Sequence, residues 1–390
     1  MRLFKKAALF LLFVFSVVPF AIEVGASGIS SNYFYILIFL LPFTQLRQSR
    51  GGLMLLTVYT VVLLAGIFQF FTHDFYYFIR SFASYLVFIF PLLFAFVRLE
   101  DVHFKTFKQA VILVSLSYSL LSIYQLATLG YAGDFFMMKN EIGSQRFGFV
   151  IILAFFLVLY EEDYLQLKRL TYLAILGIGI ILTFSRSTLV GFGAAFFVLL
   201  ILDFRRIKVK YILLGFLFGI AMLVVFKDTV IGEIADFFAQ YTANTKTYDL
   251  SNKSSSEGYR IYVLKQVLAY IKSHPLFGSS YAGLYLLYDE YSATGASAHS
   301  QYNDVLLRTG LIGFSLYLFV LYRMTRFYAR YNRGVFYGLI GIIVYGFFHE
   351  TFKLGHGSFL FAFLLGYYLN KTEIRSRQAQ EETGSTAIAT

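Results

Sequence analysis

Ala298-His299-Ser300-Gln301-Tyr302-Asn303-Asp304 sets a histidine in a short polar patch, and an apolar run holding Gly310 and Gly313 follows at once. A helix start disfavours imidazolium, so His299 is held neutral and fit to accept a proton as a general base. Arg186 is the second candidate, in Thr183-Phe184-Ser185-Arg186-Ser187 between two apolar runs. An ionisable group at membrane depth costs at least a few kcal/mol and so faces a polar cavity. Ser187 and Thr188 open the next helix, whose free amides and dipole attract anions, and an arginine beside such amides outlines a phosphate site. Arg260 is the third, in the first turn of a loop helix after a serine run. Each has a plainer alternative: a structural arginine paired to a carboxylate or to carbonyls, a solvated surface charge, and a histidine at the headgroup boundary.

Around these three stand auxiliary contacts. Ser185, Ser187 and Arg146 flank the anion site, Tyr302 and Arg308 follow His299, and His349 closes the last turn; Arg80, Asp289 and Glu290 are further candidates. His349, Glu350, Lys353 and His356 crowd that turn, where the spacing reads better as a polar wall than as a metal site.

These groups need a membrane frame. Of the 390 residues 58% are hydrophobic and 14% charged, against about 25% charged in soluble domains, and the mean hydropathy is +0.68. The pattern is that of an all-α polytopic membrane protein. The net charge of +11 would suggest nucleic acid in a soluble chain. Here the basic residues sit in short loops between apolar runs, so they report topology and no nucleic-acid partner is expected. The absence of cysteine excludes disulfides, thiol catalysis and thiolate metal sites.

Twelve spans are expected, centred on 7–22, 30–46, 51–71, 75–97, 108–129, 147–160, 170–184, 188–202, 211–226, 304–322, 334–348 and 357–369. Met1–Ile22 also resembles a cleaved signal peptide, but a retained first helix is simpler beside so many later spans. With both termini cytoplasmic, the inner segments carry runs such as Arg205-Arg206-Ile207-Lys208 and the Arg323–Arg333 cluster. The short outer turns carry only Lys139, Arg146, Arg186 and Lys353. Reading 170–202 as one long span would break this pattern; two short helices meeting at Ser185-Arg186-Ser187 keep it. At ~1.5 Å per residue each half reaches roughly 22 Å, short of a ~30 Å core, which leaves Arg186 recessed.

The chain then divides into helices over 1–226, an outer loop over 227–303, helices over 304–370 and a polar, disordered inner tail over 371–390. Within the loop, Thr229–Tyr241 reads as an amphipathic helix and Glu257–Ser273 as a second, capped by Ser254 and stopped by His274-Pro275.

Four features together resemble the O-antigen ligase/polymerase superfamily of bacterial membrane glycosyltransferases, of GT-C type. They are Thr183-Phe184-Ser185-Arg186-Ser187, similar to its T-x-S-R-(G/S) turn; Gly258-Tyr259-Arg260-Ile261-Tyr262, similar to its R-x-x-x-W segment; Ser273-His274-Pro275-Leu276-Phe277-Gly278, similar to its h-P-l-x-G; and His299 with Gly310 and Gly313, similar to its H-(N/S)-x-Y-L…G-x-x-G. The likeness covers roughly 140–369. Ser300 stands where Asn is common, Arg308 where an acidic residue is frequent, and no tryptophan follows Arg260.

The resemblance implies a metal-independent, cofactor-free transfer from an undecaprenyl-pyrophosphate-linked oligosaccharide to an acceptor hydroxyl, at the periplasmic side of the bacterial inner membrane. By it Arg186 and Arg260 hold the pyrophosphate, and His299 deprotonates the acceptor for inverting attack at the anomeric carbon. A polymerase of O-antigen, capsule or exopolysaccharide uses a second lipid-linked repeat as acceptor, with a chain-length regulator as partner. A ligase uses lipid A–core instead. A flippase of lipid-linked sugars is the alternative of another class, but repeated halves and paired interrupted segments are not visible in the sequence.

Overall fold

A computed structural model describes residues 21–24, 27–30, 46–65, 92–129, 144–162, 164–183, 185–203, 256–280, 283, 300–352 and 355–388. Its elements are strands β1 (Ala21–Val24) and β2 (Ser27–Ser30), followed by nine α-helices among the described residues: α1 (Arg50–Ala65), α2 (Asp101–Leu129), α3 (Ser144–Leu159), α4 (Gln166–Leu182), α5 (Arg186–Asp203), α6 (Ser256–Ser273), α7 (Gln301–Tyr331), α8 (Arg333–Tyr345) and α9 (Gly355–Ile388).

The expected spans 51–71, 108–129, 147–160, 170–184, 188–202, 304–322, 334–348 and 357–369 each meet one of these helices. Spans 7–22, 30–46, 75–97 and 211–226 lie largely outside the described residues, as does the loop helix expected over Thr229–Tyr241. Asp101–Tyr124 and Gln301–Tyr331 are long and apolar enough to cross a membrane; Arg50–Val62, Phe147–Leu159, Ser187–Asp203 and Arg333–Tyr345 are shorter apolar helices.

Three departures from the expected architecture stand out. First, a short hairpin accompanies the expected all-α architecture: β1 and β2 pair antiparallel, with Ala21 opposite Ser30 and Val24 opposite Ser27. Second, the disordered tail expected after Asn370 is helical: α9 runs through Ile388. Lys, Glu, Arg, Gln and Ala in 371–388 are good helix formers, and a nucleus already built by the apolar half spares them the costly first turn. Glu373 then ties this extension to the bundle, accepting hydrogen bonds from Arg47 Nη1 (3.0 Å), Ser49 Oγ (2.8 Å) and the Gly51 amide (3.1 Å). Third, α7 is broken at Gly310, as described below.

The segment 170–202 forms two helices, with α4 ending at Leu182 and α5 starting at Arg186. At the centre, α3 is buried continuously from Phe147 to Val158, as befits a helix that is apolar on all sides. Helix α8 lies against both α3 and α5, while α2 covers α3 and α4. Small residues allow the close approaches: a Cβ on Gly179 of α4 would fall 2.0 Å from Ser119 Oγ of α2. Between α7 and α8 the chain turns at Asn332, whose side chain accepts from the Val335 amide at 2.9 Å and caps α8.

Candidate active site

The helix starts of α3, α5, α7 and α9 and the end of α8 gather at one end of the bundle. Gly148, one turn into α3, lies so close to α5 that an added Cβ would be 2.0 Å from Thr188 Oγ1. A Cβ on Gly191 of α5 would sit 2.7 Å from the Gly341 carbonyl and 3.3 Å from Tyr345 Cβ of α8. The Gln301 amide at the start of α7 donates to the Gly346 carbonyl (2.8 Å) and the His349 carbonyl (3.2 Å) just past α8. Gln301 Oε1 accepts from the Phe352 amide at 2.9 Å, which ties in the approach to α9. A helix start carries amides without intrahelical partners and about half a positive charge, so this end suits an anion; at α7 the Gln301 and Asn303 amides are already taken up by Gly346, His349 and Ser300.

Its polar side chains are deeply buried: Thr183, Ser185, Ser187, Thr188, Ser300, Gln301 and Thr351 are all shielded. Ser185 Oγ and Ser187 Oγ lie 2.8 Å apart in a mutual hydrogen bond. Thr188 Oγ1, Gln301 Nε2 and Thr351 Oγ1 have no hydrogen-bond partner among the described residues. A buried polar atom left unpaired costs about 1–3 kcal/mol. These three are spare donors and acceptors at this end of the bundle.

Arg186 is the first residue of α5, Arg146 lies in the first turn of α3, and Arg260 in the second turn of α6; the structure describes these three by helix position only. His299 lies outside the described residues, one position before Ser300. Ser300 itself is the N-cap of α7, accepting from the Asn303 amide at 3.4 Å. Arg80, Asp289 and Glu290 also lie outside the described residues.

Tyr302 donates to the Ile343 carbonyl at 2.7 Å and its ring lies 4.4 Å from Phe347. Arg308 is fully buried, its Nε 3.2 Å from both carboxylate oxygens of Asp304, and a Cβ on Gly283 would touch its guanidinium carbon at 2.6 Å. Both side chains are thus engaged within the frame. His349 lies over Tyr345, ring centroids 5.2 Å apart. Among the described residues no group of three His, Asp or Glu side chains is placed to hold a metal ion.

The loop is fastened to this frame by a knot of backbone. Gly310 has φ 59° and ψ −165°, which breaks α7 and frees main-chain groups on both sides. The Leu311 amide turns to the Pro275 carbonyl (2.8 Å) and Ile312 to Leu276 (3.3 Å), while the Leu307 carbonyl accepts from the Ser279 amide (2.7 Å). No side chain fits in this contact: a Cβ on Gly310 would meet the Leu276 carbonyl at 2.3 Å, and one on Gly278 (φ 63°) the Leu307 carbonyl at 2.3 Å. Val263, Val267 and Ile271 of α6 then pack on Leu307 of α7. The helix bearing Arg260 and the half-helix that follows His299 therefore share one small core and end at one knot.

Sequence reasoning missed Gln301, Thr351 and this knot. The His274–Gly278 and Gly310 motifs were visible separately; their mutual contact leaves no periodic signal.

Architecture and site together define a helical membrane protein with an anion-suited end and a loop segment, 274–279, pinned to α7 at Gly310. Residues 171–318, from α4 into the second half of α7, match the family model described as O-antigen ligase. That stretch contains all four motifs, and the match supports the O-antigen ligase/polymerase superfamily and ligase/polymerase-type activity in general. No curated protein matches the chain.

Proposed function

We propose that the chain is a polysaccharide polymerase of the bacterial inner membrane, with both termini cytoplasmic and its site on the periplasmic side. It transfers an undecaprenyl-pyrophosphate-linked saccharide to a hydroxyl of another lipid-linked repeat unit. His299 takes the proton of the acceptor hydroxyl as its oxygen attacks the anomeric carbon. The bond from that carbon to the pyrophosphate oxygen breaks with inversion, and the lipid diphosphate departs. Arg186 and Arg260 hold the diphosphate and stabilise the charge that builds on it. Arg146, Ser185, Ser187 and His349 supply further contacts, and Tyr302 and Arg308 add to the wall after His299. The transfer needs no metal or other cofactor.

The observation that best supports this reading is the gathering of helix starts at the Ser185 end. The Ser185-Arg186-Ser187 turn and the start of α7, two residues past His299, belong to the same cluster of contacts. A ligase that passes polymer to lipid A–core would use the same groups. Deletion of the gene separates the two: free single repeats mark a polymerase, and long polymer stranded on the carrier marks a ligase. A regulator of chain length would act on the polymerase only.

The break in α7 bears on the transporter alternative, since transporters use interrupted helices whose freed backbone lines a cavity. Here the freed groups at Gly310 are taken up by Pro275, Leu276 and Ser279. The break serves to dock the loop. Flipping of a labelled lipid-linked saccharide by purified protein, without a glycosidic bond being formed, would overturn the enzyme reading.

A further inference from the structure

Helix α6 presents two stripes. Val263, Val267 and Ile271 are buried on α7, but Leu264 and Leu268 beside them are 40% and 52% exposed. The chain beyond α6 continues the apolar surface with Leu276 (55%) and Phe277 (36%). At the knot this surface runs directly into α7, because the amides of Leu311 and Ile312 donate to the carbonyls of Pro275 and Leu276. Leu311 and Ile312 are exposed too, and they begin a stripe continued by Leu318, Phe319 and Tyr322 down the membrane-length helix. An apolar stripe down a membrane-crossing helix meets acyl chains. The exposed face of the loop is thus continuous with the apolar stripe of a helix long and apolar enough to cross a membrane. Helical spacing places Lys265 and Lys272 next to Leu264 and Leu268, on the side away from the buried stripe, and both are exposed. Leucines bordered by lysines are the arrangement of a helix lying in the interface, with ammonium groups at anionic headgroups.

We propose that α6 and the segment after it lie on the bilayer surface. Leu264, Leu268, Leu276 and Phe277 enter the outer edge of the acyl region of the leaflet at the Ser185 end, and Lys265 and Lys272 meet anionic headgroups. The partner of this surface is lipid, not a second protein. The placement is independent of the reaction catalysed.

The chain contains no tryptophan and no cysteine, so one introduced residue reports alone. Leu264→Trp and Leu268→Trp are made in the full chain and reconstituted in anionic nanodiscs, with Phe319→Trp as the lipid-facing reference. With lipids brominated on the acyl chains, both loop tryptophans should lose most of their emission, as the reference does, and resist aqueous acrylamide. Quenching by acrylamide but not by bromolipid would show a helix standing in water and overturn the proposal. Protection from both quenchers would show a protein covering the stripe and overturn it equally. If either tryptophan disturbs folding, a spin label on Leu268→Cys, read by oxygen against aqueous nickel accessibility, gives the same decision.

Discussion

The two ends of the helix bundle handle polarity in opposite ways. At the Asp203 end, carboxylates are matched by partners. Asp203 accepts from Tyr160 Oη (2.8 Å) and Tyr337 Oη (2.9 Å) and lies 3.8 Å from Arg333. Asp101 binds Tyr331, Tyr367 and Lys371; Glu373 binds Arg47, Ser49 and Gly51; Glu161 binds Lys108 at 2.6 Å. These bonds join helix ends distant in sequence and act as clasps. At the Ser185 end the buried polar atoms are mostly neutral hydroxyls and amides beneath a cluster of helix starts, and three of them have no partner among the described residues; at the Asp203 end the atoms left over include Arg169 Nε, on a guanidinium group that already binds through another nitrogen. Satisfied polar groups contribute rigidity; unsatisfied ones cost stability unless something else completes them. The contrast fits the proposed function, in which one end clasps the bundle and the other holds the substrate.

The contrast breaks if substitutions at the two ends behave alike. Arg186→Ala and Arg260→Ala should each lower transfer by about 100-fold or more, the scale of losing one fixed charge-stabilising group. Thermal unfolding of the purified variants should be unchanged. Lysine at either position should restore only part of the activity, because the guanidinium fork is lost. Gly310→Ala falls between the ends. It should destabilise by about 3 kcal/mol, from strain at a positive φ, and release the loop, so that limited proteolysis cuts within 256–280 in the variant but not in the parent. Asp203→Ala should cost about 2 kcal/mol through lost hydrogen bonds to a charged acceptor. It would appear as a lower unfolding temperature with the turnover of folded protein retained. Ser187→Ala, which removes one neutral hydroxyl contact, should shift stability by about 1 kcal/mol or less and sharpens the contrast only if transfer falls by more than stability does.

The sequence made much of this legible because membrane helices announce themselves locally. Apolar length marked most of the described helices, and the distribution of arginine and lysine between loops divided 170–202 into α4 and α5. Long-range backbone contacts were invisible by the same logic. Gly310 inside an apolar run looks like any small residue at a packing face; only the approach of Pro275 and Leu276 makes it a break. Gln301 resembles a surface glutamine until Gly346, His349 and Phe352 enclose it. The tail failed for a different reason. Polar composition predicts disorder, whereas Glu373 has partners at Arg47, Ser49 and Gly51 that adjacency in sequence does not reveal.

In the proposed reaction the glycosidic bond is made at the Ser185 end, with His299 as the base. The direct measurement is transfer from a lipid-diphosphate-linked saccharide by purified His299→Ala protein, alongside its helix content and unfolding temperature. Loss of product with the fold intact is the expected result. Full product formation by that variant would contradict the claim.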